Sequence, residues 1–141
     1  MDMELVAADD ADRPWIASLL EESGLPTDLD GTELYTAHTD GERVGCGGLE
    51  AHGSDALLRS LAVDPVFQGE GYGRDITERL CSIAAECGVE RLYLLTTTAA
   101  DFFEKQGFER IERNRISEPI AETEQFTTLC PESATCMRRE P

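Results

Sequence analysis

A glycine-rich segment ahead of a predicted helix contains the residues best suited to bind an anion. In LAVDPVFQGEGYGRDITERL, Leu61 to Leu80, glycines occupy positions 69, 71 and 73. Glycine permits positive φ, so successive N–H groups can turn toward one point, and the unpaired amides of a first helical turn add to them. The segment lacks the Gly-Lys-Ser/Thr of a P-loop and the third glycine of a dinucleotide fingerprint. It therefore predicts a phosphate loop of another kind, with a ligand-free glycine turn as the alternative.

Arg59 is the second residue that could contact a ligand, because it interrupts the otherwise apolar predicted strand ALLRSLAV, Ala56 to Val63. An arginine fork there could hold a carboxylate through two hydrogen bonds. The side chain could equally reach solvent or pair with an acidic residue of the sheet. If Arg59 binds substrate, the acceptor is an amino acid or a similar acid.

Two cysteines in CPESATC, Cys130 and Cys136, raise the question of arsenite binding. Two thiols without a third are usually packing residues, and we favour that interpretation. None of the five cysteines forms a C-x-x-C pair, and the chain has only His38 and His52 besides, so we expect no metal site. We expect reduced thiols rather than a disulfide framework.

The predicted elements that position these residues begin with a strand, Met3 to Ala8, and a helix capped by Asp9 or Asp10 and stopped by Gly24 and Pro26. Asp40-Gly41 predicts a hairpin between two further strands, Thr32 to Thr39 and Glu42 to His52. After the strand Ala56 to Val63, apolar residues recur with helical spacing through Ile76, Leu80, Ile83, Ala84 and Cys87, and Gly88 ends this helix.

The last third of the sequence predicts a buried strand, Arg91 to Leu95, a helix from about Ala99 to Gln106 with Gly107 at its end, and a strand in FERIER. Beyond Ile116 we expect a short helix near Pro119 to Thr123 and a strand near Phe126 to Leu129. The order β-α-β-β-β-α-β-α-β is an α/β layout with an antiparallel first half and a strand-helix-strand crossover in the second.

The charge balance excludes one class of partner. The 141-residue chain has 29 acidic residues against 12 basic ones, of which only Lys105 is a lysine, and its formal net charge is −17. Nucleic-acid binding is disfavoured because no basic face is available. Acids scattered along a chain that almost lacks lysine favour a halophilic protein of a salty cytoplasm over an ordinary acidic one.

Length and composition predict a single domain, residues 1–141. The N-terminus lacks the features of a signal peptide, and no apolar run is long enough to span a bilayer, so we expect a cytoplasmic protein without a membrane partner. The sequence leaves the oligomeric state open, a homodimer included.

LAVDPVFQGEGYG resembles the acetyl-CoA-binding segment of the GCN5-related N-acetyltransferases, whose pattern Gln/Arg-x-x-Gly-x-Gly/Ala is matched by Gln68, Gly71 and Gly73. AADFFEKQGF is similar to a later helix of that family. LLRSLAVDP, LYLLTTTAADFFEKQGF and FTTLCPESATCM further resemble acetyltransferases associated with arsenic-resistance operons and the acetyltransferase module of N-acetylglutamate synthase. The resemblance implies a mixed central sheet of about six to seven strands flanked by helices.

The resemblance also implies acetyl-CoA as cosubstrate, with no metal. The backbone of Leu61, Ala62 and Val63 would bind the thioester and the pantetheine arm, and a backbone N–H of this strand would be the oxyanion donor. The loop would bind the pyrophosphate through the segment Gln68, Gly69, Glu70, Gly71, Tyr72 and Gly73, with Arg74 as a nearby cation and Glu70 facing solvent.

For catalysis, the resemblance implies Glu50 as the general base, with a surface glutamate as the alternative. Many members of the family carry a tyrosine in a word like F-Y-E as the acid for the thiolate, whereas this chain has Phe102-Phe103-Glu104. Tyr72 or Tyr93 could substitute, but we favour water, or no acid at all, because a thiolate is already a tolerable leaving group.

The leading hypothesis is therefore an N-acetyltransferase that acts on the primary amine of a small molecule, an amino acid or its analogue, with a link to arsenic resistance. The alternative is a catalytically inactive module that binds acetyl-CoA or senses a metalloid. Acetylation of a protein N-terminus or lysine is less favoured because no peptide-binding insertion is evident.

Overall fold

The computed structural model describes residues 3–25, 27, 31–112, 115–116, 120 and 134–141. Their contacts divide into two compact units, Met1–Glu50 with Arg59–Leu80, and Ala51–Leu58 with Cys81–Pro141. Within the described residues, no helix is long and apolar enough to cross a membrane.

Strands and helices follow one another along the chain in the order that the sequence predicts, with one further strand at the C-terminus. The strands are β1 (Glu4–Ala7), β2 (Glu33–Thr39), β3 (Glu42–His52), β4 (Asp55–Val63), β5 (Arg91–Thr96), β6 (Glu109–Ile111) and β7 (Thr135–Arg139). The helices are α1 (Arg13–Glu22), α2 (Tyr72–Glu86) and α3 (Ala100–Lys105), and a 3₁₀ turn covers Pro65–Phe67.

The seven strands form one mixed sheet in the order β1-β2-β3-β4-β5-β7-β6. β1 and β3 each pair antiparallel with β2, β4 pairs parallel with β5, and β7 is antiparallel to both β5 and β6. The α/β layout, with its antiparallel first half and its crossover through α2, is therefore confirmed. The predicted hairpin at Asp40-Gly41 is confirmed too: both residues have positive φ, 51° and 79°, as a type I′ turn requires.

In the first unit, the two faces of β3 pack against different helices. Cys46 belongs to a buried cluster with three α1 residues, Ile16, Leu19 and Leu20. Gly45 and Gly47 lie on the opposite face, because side chains alternate along a strand, and there they meet α2. A Cβ at Gly47 would lie 2.6 Å from Leu80 Cδ1, and one at Gly45 would lie 2.9 Å from Ile76 Cδ1. The missing side chains thus allow α2 to approach the sheet closely.

In the second unit, the start of β4 is fixed to β5. The parallel pairs run from Asp55 with Arg91 to Leu57 with Tyr93. The buried carboxylate of Asp55 accepts a hydrogen bond of 2.8 Å from Arg91 Nε, which reinforces the first pair. Leu57 and Tyr93 then join Ile120 and Cys136 in the buried cluster of this unit.

β4 also contains a bulge that the sequence does not predict. A two-residue turn at Gly53 and Ser54 would place Val63 opposite Val44, yet the amide of Asp64 donates to the Val44 carbonyl at 2.8 Å. β4 therefore has one residue more than β3 over this stretch. Ser60, with φ 61°, marks the place where the extra residue is accommodated.

Two predicted boundaries differ from the structure. α1 begins at Arg13 rather than after Asp10, because Asp9 and Asp12 exchange hydrogen bonds between side chain and amide, both 3.1 Å, in a turn ahead of the helix. Near the C-terminus, the predicted strand Phe126 to Leu129 and all of the predicted helix Pro119 to Thr123 except Ile120 lie outside the described residues. The strand β7, Thr135–Arg139, was not predicted.

Gly45→Ala should lower the free energy of unfolding by about 1–3 kcal/mol, because its Cβ would lie 2.6 Å from the Ala62 carbonyl, a backbone atom that cannot rotate away. Urea denaturation measures the change. Gly53→Asn is the control: no atom lies within 4 Å of its Cβ position, and asparagine tolerates the left-handed conformation. Equal stability of Gly45→Ala and the wild type would contradict the close packing.

Candidate functional site

The glycine-rich loop presents backbone rather than side chains to solvent. Gly69 and Gly71 adopt φ values of 85° and 89°, which L-residues rarely adopt, and residues 68–71 are exposed. α2 begins directly afterwards at Tyr72, and its first hydrogen bond runs from the Asp75 amide to the Gly71 carbonyl at 3.2 Å. The amides of Tyr72, Gly73 and Arg74 lie in the first turn of the helix, where an N–H group has no acceptor within the helix. This arrangement suits an anion.

Three contacts of the loop and the turn before it fix the loop to β4 and α2. Gln68 Nε2 donates to the Val63 carbonyl at 3.1 Å, so this side chain ties the loop to the end of β4. The Phe67 ring packs edge-on against the buried Tyr72, with ring centroids 6.1 Å apart. The Asp64 carboxylate accepts the Val66 amide at 3.0 Å and caps the 3₁₀ turn between β4 and the loop. The loop is thus held at both ends.

The charged residues of the loop face solvent. Glu70 is exposed, in agreement with the sequence expectation. Arg74 is also exposed, and its Nη2 lies 3.7 Å from Asp75 Oδ1 and 3.7 Å from the position of a Cβ at Gly71. A cation therefore lies beside the second loop glycine without being buried.

Glu50 and Arg59 form an ion pair across β3 and β4. Arg59 Nη1 donates to Glu50 Oε1 at 3.1 Å. The Arg59 side chain is 3% exposed and the Glu50 side chain 12% exposed, so the carboxylate is the more accessible partner. Of the alternatives that the sequence left open for Arg59, pairing with an acidic residue of the sheet is the one present in the structure. A buried guanidinium fixes the position of this carboxylate.

The strand expected to bind the coenzyme arm, Leu61 to Val63, has alternating burial. Ala62 is buried in the core cluster, whereas Leu61 and Val63 are only partly buried. Just before them, the carbonyl of Ser60 accepts a hydrogen bond from the Cys46 thiol at 3.3 Å. Burial raises the pKa of Cys46 to about 12, so the thiol stays protonated at physiological pH and remains a donor.

A family model for the GNAT acetyltransferase domain matches residues 30–110, which is more than half of the chain. The chain belongs to the GNAT acetyltransferase family. Among curated relatives, it is 35% identical over 102 residues to an amino-acid acetyltransferase of Mycobacterium tuberculosis, an alignment that covers 70% of this chain and 55% of that protein. It is 29% identical over 105 residues to an uncharacterised N-acetyltransferase of Chlorobaculum tepidum, covering 74% of this chain and 65% of the relative.

Solved structures of the GNAT fold superpose on almost the whole chain. N-acetylglutamate synthase of Neisseria gonorrhoeae, complexed with coenzyme A and N-acetylglutamate, has a TM-score of 0.82 and 22% identity, covering 99% of this chain and 35% of that one. Rv2747 of Mycobacterium tuberculosis, in complex with CoA and NLQ, has a TM-score of 0.80 and 23% identity, with 98% and 99% coverage. The expected fold is thereby confirmed.

In this GNAT chain, the residue at the tyrosine position of the F-Y-E word and the two tyrosines proposed as substitutes are all buried. Phe103 occupies the tyrosine position of the F-Y-E word and is buried. Its ring centroid lies 5.0 Å from that of Phe102 and 5.7 Å from that of Phe108. Tyr93 is buried in the second unit, and Tyr72 packs against Phe67. Cys136 is buried in β7, and Cys130 lies outside the described residues.

Sequence reasoning missed Ser60 and Cys46. Nothing in a single sequence signals that a serine within a strand adopts a left-handed conformation, because the bulge that requires it forms only when β4 pairs with β3. The sequence indicates only weakly that Cys46 is buried: it is the one residue with a side chain in GCGG, and a lone side chain among glycines favours the core. Its contact with the Ser60 carbonyl, however, depends on the bulge.

If the loop binds the phosphates of acetyl-CoA, Gly71→Asp should reduce acetyl-CoA affinity at least about tenfold more than Gly71→Asn, because only aspartate would place a negative charge beside them. The two variants are matched, since both residues are nearly the same size and both carry a Cβ at φ 89°. Calorimetric titration measures the affinities. Equal affinities for the two variants would contradict an anion site at this glycine.

Proposed function

We propose that this protein transfers the acetyl group of acetyl-CoA to the primary amine of an amino acid. The observation that carries the proposal is the Arg59–Glu50 ion pair, which places the guanidinium of strand β4 beside the carboxylate of its neighbour β3. A base and a carboxylate-binding cation are the two groups that an amino-acid acceptor needs. The amino-acid acetyltransferase relative supports this substrate class, although the chain covers only 55% of that protein.

Acetyl-CoA binds through backbone groups in this proposal. The loop from Gln68 to Gly73 holds the pyrophosphate with its amides, and the strand Leu61 to Val63 pairs with the pantetheine arm. Arg74 contributes a solvent-facing cation beside Gly71. The tether from Gln68 to the Val63 carbonyl supports this assignment because it couples the phosphate loop to the strand that carries the reacting end.

The reaction follows from these positions. Glu50, directly or through a water molecule, takes a proton from the acceptor ammonium, and the neutral amine attacks the acetyl carbonyl. A backbone N–H of Leu61 to Val63 stabilises the oxyanion. The C–N bond forms as the C–S bond breaks, and the attacking nitrogen releases its second proton to water. The coenzyme leaves as a thiolate that takes a proton from water. No tyrosine acid is required, because the thiolate is stable enough to leave near neutral pH.

Arg59 serves the acceptor in two ways. A guanidinium has five N–H donors, so it can keep its hydrogen bond to Glu50 and also bind the acceptor carboxylate. The acceptor is then held with its amine near Glu50. Since the Arg59 side chain is only 3% exposed, this second contact requires the acceptor to enter the site deeply.

Finer features of the proposal rest on the sequence. The resemblance to proteins of arsenic-resistance operons extends the acceptor class to arsenic-bearing and phosphinic amino-acid analogues. The acidic, lysine-poor composition suits a halophilic cytoplasm. Residues 1–141 act as one acetyltransferase domain.

The burial of Phe103 at the tyrosine position favours one rival function, that of a module that binds acetyl-CoA without turning it over.

The wild-type protein should acetylate glutamate at least about tenfold faster, in kcat/KM, than 4-aminobutyrate, which lacks the carboxylate next to the amine, because Arg59 binds that carboxylate. Mass spectrometry of the products, in about molar KCl, measures both rates. Arsonic and phosphinic amino acids test the wider acceptor class. Bound acetyl-CoA with no acetylated product from any amine would overturn the proposal in favour of the binding module.

Glu50→Gln should lower kcat by about 10²-fold or more and leave acetyl-CoA affinity unchanged, because the amide cannot accept the ammonium proton. The loss should be largest at low pH, where the amine is most fully protonated. Glutamine keeps an oxygen for the Arg59 hydrogen bond, so the fold is preserved. A pH–rate profile identical to that of the wild type would remove Glu50 from the mechanism.

A further inference from the structure

Ser60 has a backbone conformation that its residue type disfavours. Among the described residues, only Asp40 and Ser60 are non-glycine residues with positive φ. At Asp40 a tight hairpin turn requires it, whereas Ser60 lies inside β4, where no turn does. A left-handed residue inside a strand costs free energy, and such residues concentrate at functional sites.

The Ser60 side chain does not compensate for this conformation. The residue is 8% exposed, and its hydroxyl has no hydrogen-bond partner among the described residues. A buried hydroxyl without a partner is itself unfavourable. The left-handed conformation must therefore be maintained by contacts to the backbone of Ser60.

The Cys46 thiol makes such a contact. It donates to the Ser60 carbonyl at 3.3 Å from a position in β3 that is fully buried against α1. Because burial raises the pKa of Cys46 to about 12, the thiol keeps its proton at neutral pH and can donate this hydrogen bond.

The position of this carbonyl determines the direction of the next N–H group. The described chain has no cis peptide bond, so the Ser60–Leu61 peptide is trans. In a planar trans peptide, the carbonyl oxygen and the amide hydrogen point in opposite directions. The Leu61 N–H therefore points away from Cys46.

We propose that Cys46 is a positioning residue for acetyl transfer: its thiol holds the Ser60 carbonyl and so aims the Leu61 N–H at the developing oxyanion. This inference rests on the proposed function, in which the oxyanion donor lies on the strand Leu61 to Val63. A buried thiol that only fills space would stabilise the fold but would not affect the chemical step.

Three variants separate positioning from packing. Cys46→Ala removes the thiol donor and should lower kcat about tenfold. This loss is smaller than the roughly 10²–10³-fold loss that follows removal of an entire oxyanion donor, because the Leu61 N–H is still present but less well aimed. Acetyl-CoA affinity should change less than about twofold, since the phosphate loop is untouched. Cys46→Ser keeps a donor and should restore most of kcat. Cys81→Ala, a second buried cysteine, is the control and should keep wild-type kcat.

A second readout does not depend on turnover. The ¹H–¹⁵N NMR resonance of Leu61 should shift when acetyl-CoA is added to the wild type and to Cys46→Ser, and should shift less in Cys46→Ala. Wild-type kcat in Cys46→Ala, or no recovery in Cys46→Ser, would overturn the inference. If the wild type acetylates no amine, the proposed function fails, and the NMR comparison alone tests the inference. The inference would then be overturned if the Leu61 resonance shifts equally in the wild type and both Cys46 variants, or if it shifts in none of them.

Discussion

The close approach of α2 to β3 is the constraint on which the candidate site depends. Gly45 and Gly47 leave room that the side chains of Ile76 and Leu80 fill, so at these positions no side chain of the strand keeps the helix away. Because α2 begins at Tyr72, this packing also sets the position of its first turn and of the loop before it. The tether from Gln68 to Val63 then fixes the loop to β4. Packing in the core thus positions the backbone groups that carry the proposed chemistry.

Backbone groups also resolve the conflict between the protein's charge and its proposed ligand. A chain with a net charge of −17 should repel a polyanion such as coenzyme A. Amides at a helix start attract phosphate through local dipoles that need no net positive charge. At about 1 M salt the screening length falls to about 3 Å, so distant carboxylates have little effect on an anion in the loop. The acidic surface and the anion site are therefore compatible.

Much of the fold was predictable because local signals were strong. Asp40-Gly41 specified its turn, the periodicity from Ile76 to Cys87 specified α2, and the glycines at 69 and 71 specified a loop with positive φ. Near the C-terminus, β7 was missed because the short, cationic TCMRR has little strand signal of its own and gains its place by pairing with β5 and β6.

The candidate site was predictable in its residues but not in its contacts. The strand pattern pointed to Arg59 and the family resemblance to Glu50, but their ion pair depends on the register of β3 and β4, which was not predicted. The same register places Cys46 against the Ser60 carbonyl. Contacts between strands, rather than residue types, are what the structure adds.

The most direct test of the central claim is hydrogen exchange of the backbone amides with and without acetyl-CoA, read by mass spectrometry. If the loop and β4 bind the coenzyme through their backbone, exchange should slow in the segment from Leu61 to Arg74, while distant elements such as β1 stay unchanged. Acetyl-CoA that binds by calorimetry yet leaves exchange in this segment unchanged would contradict the account.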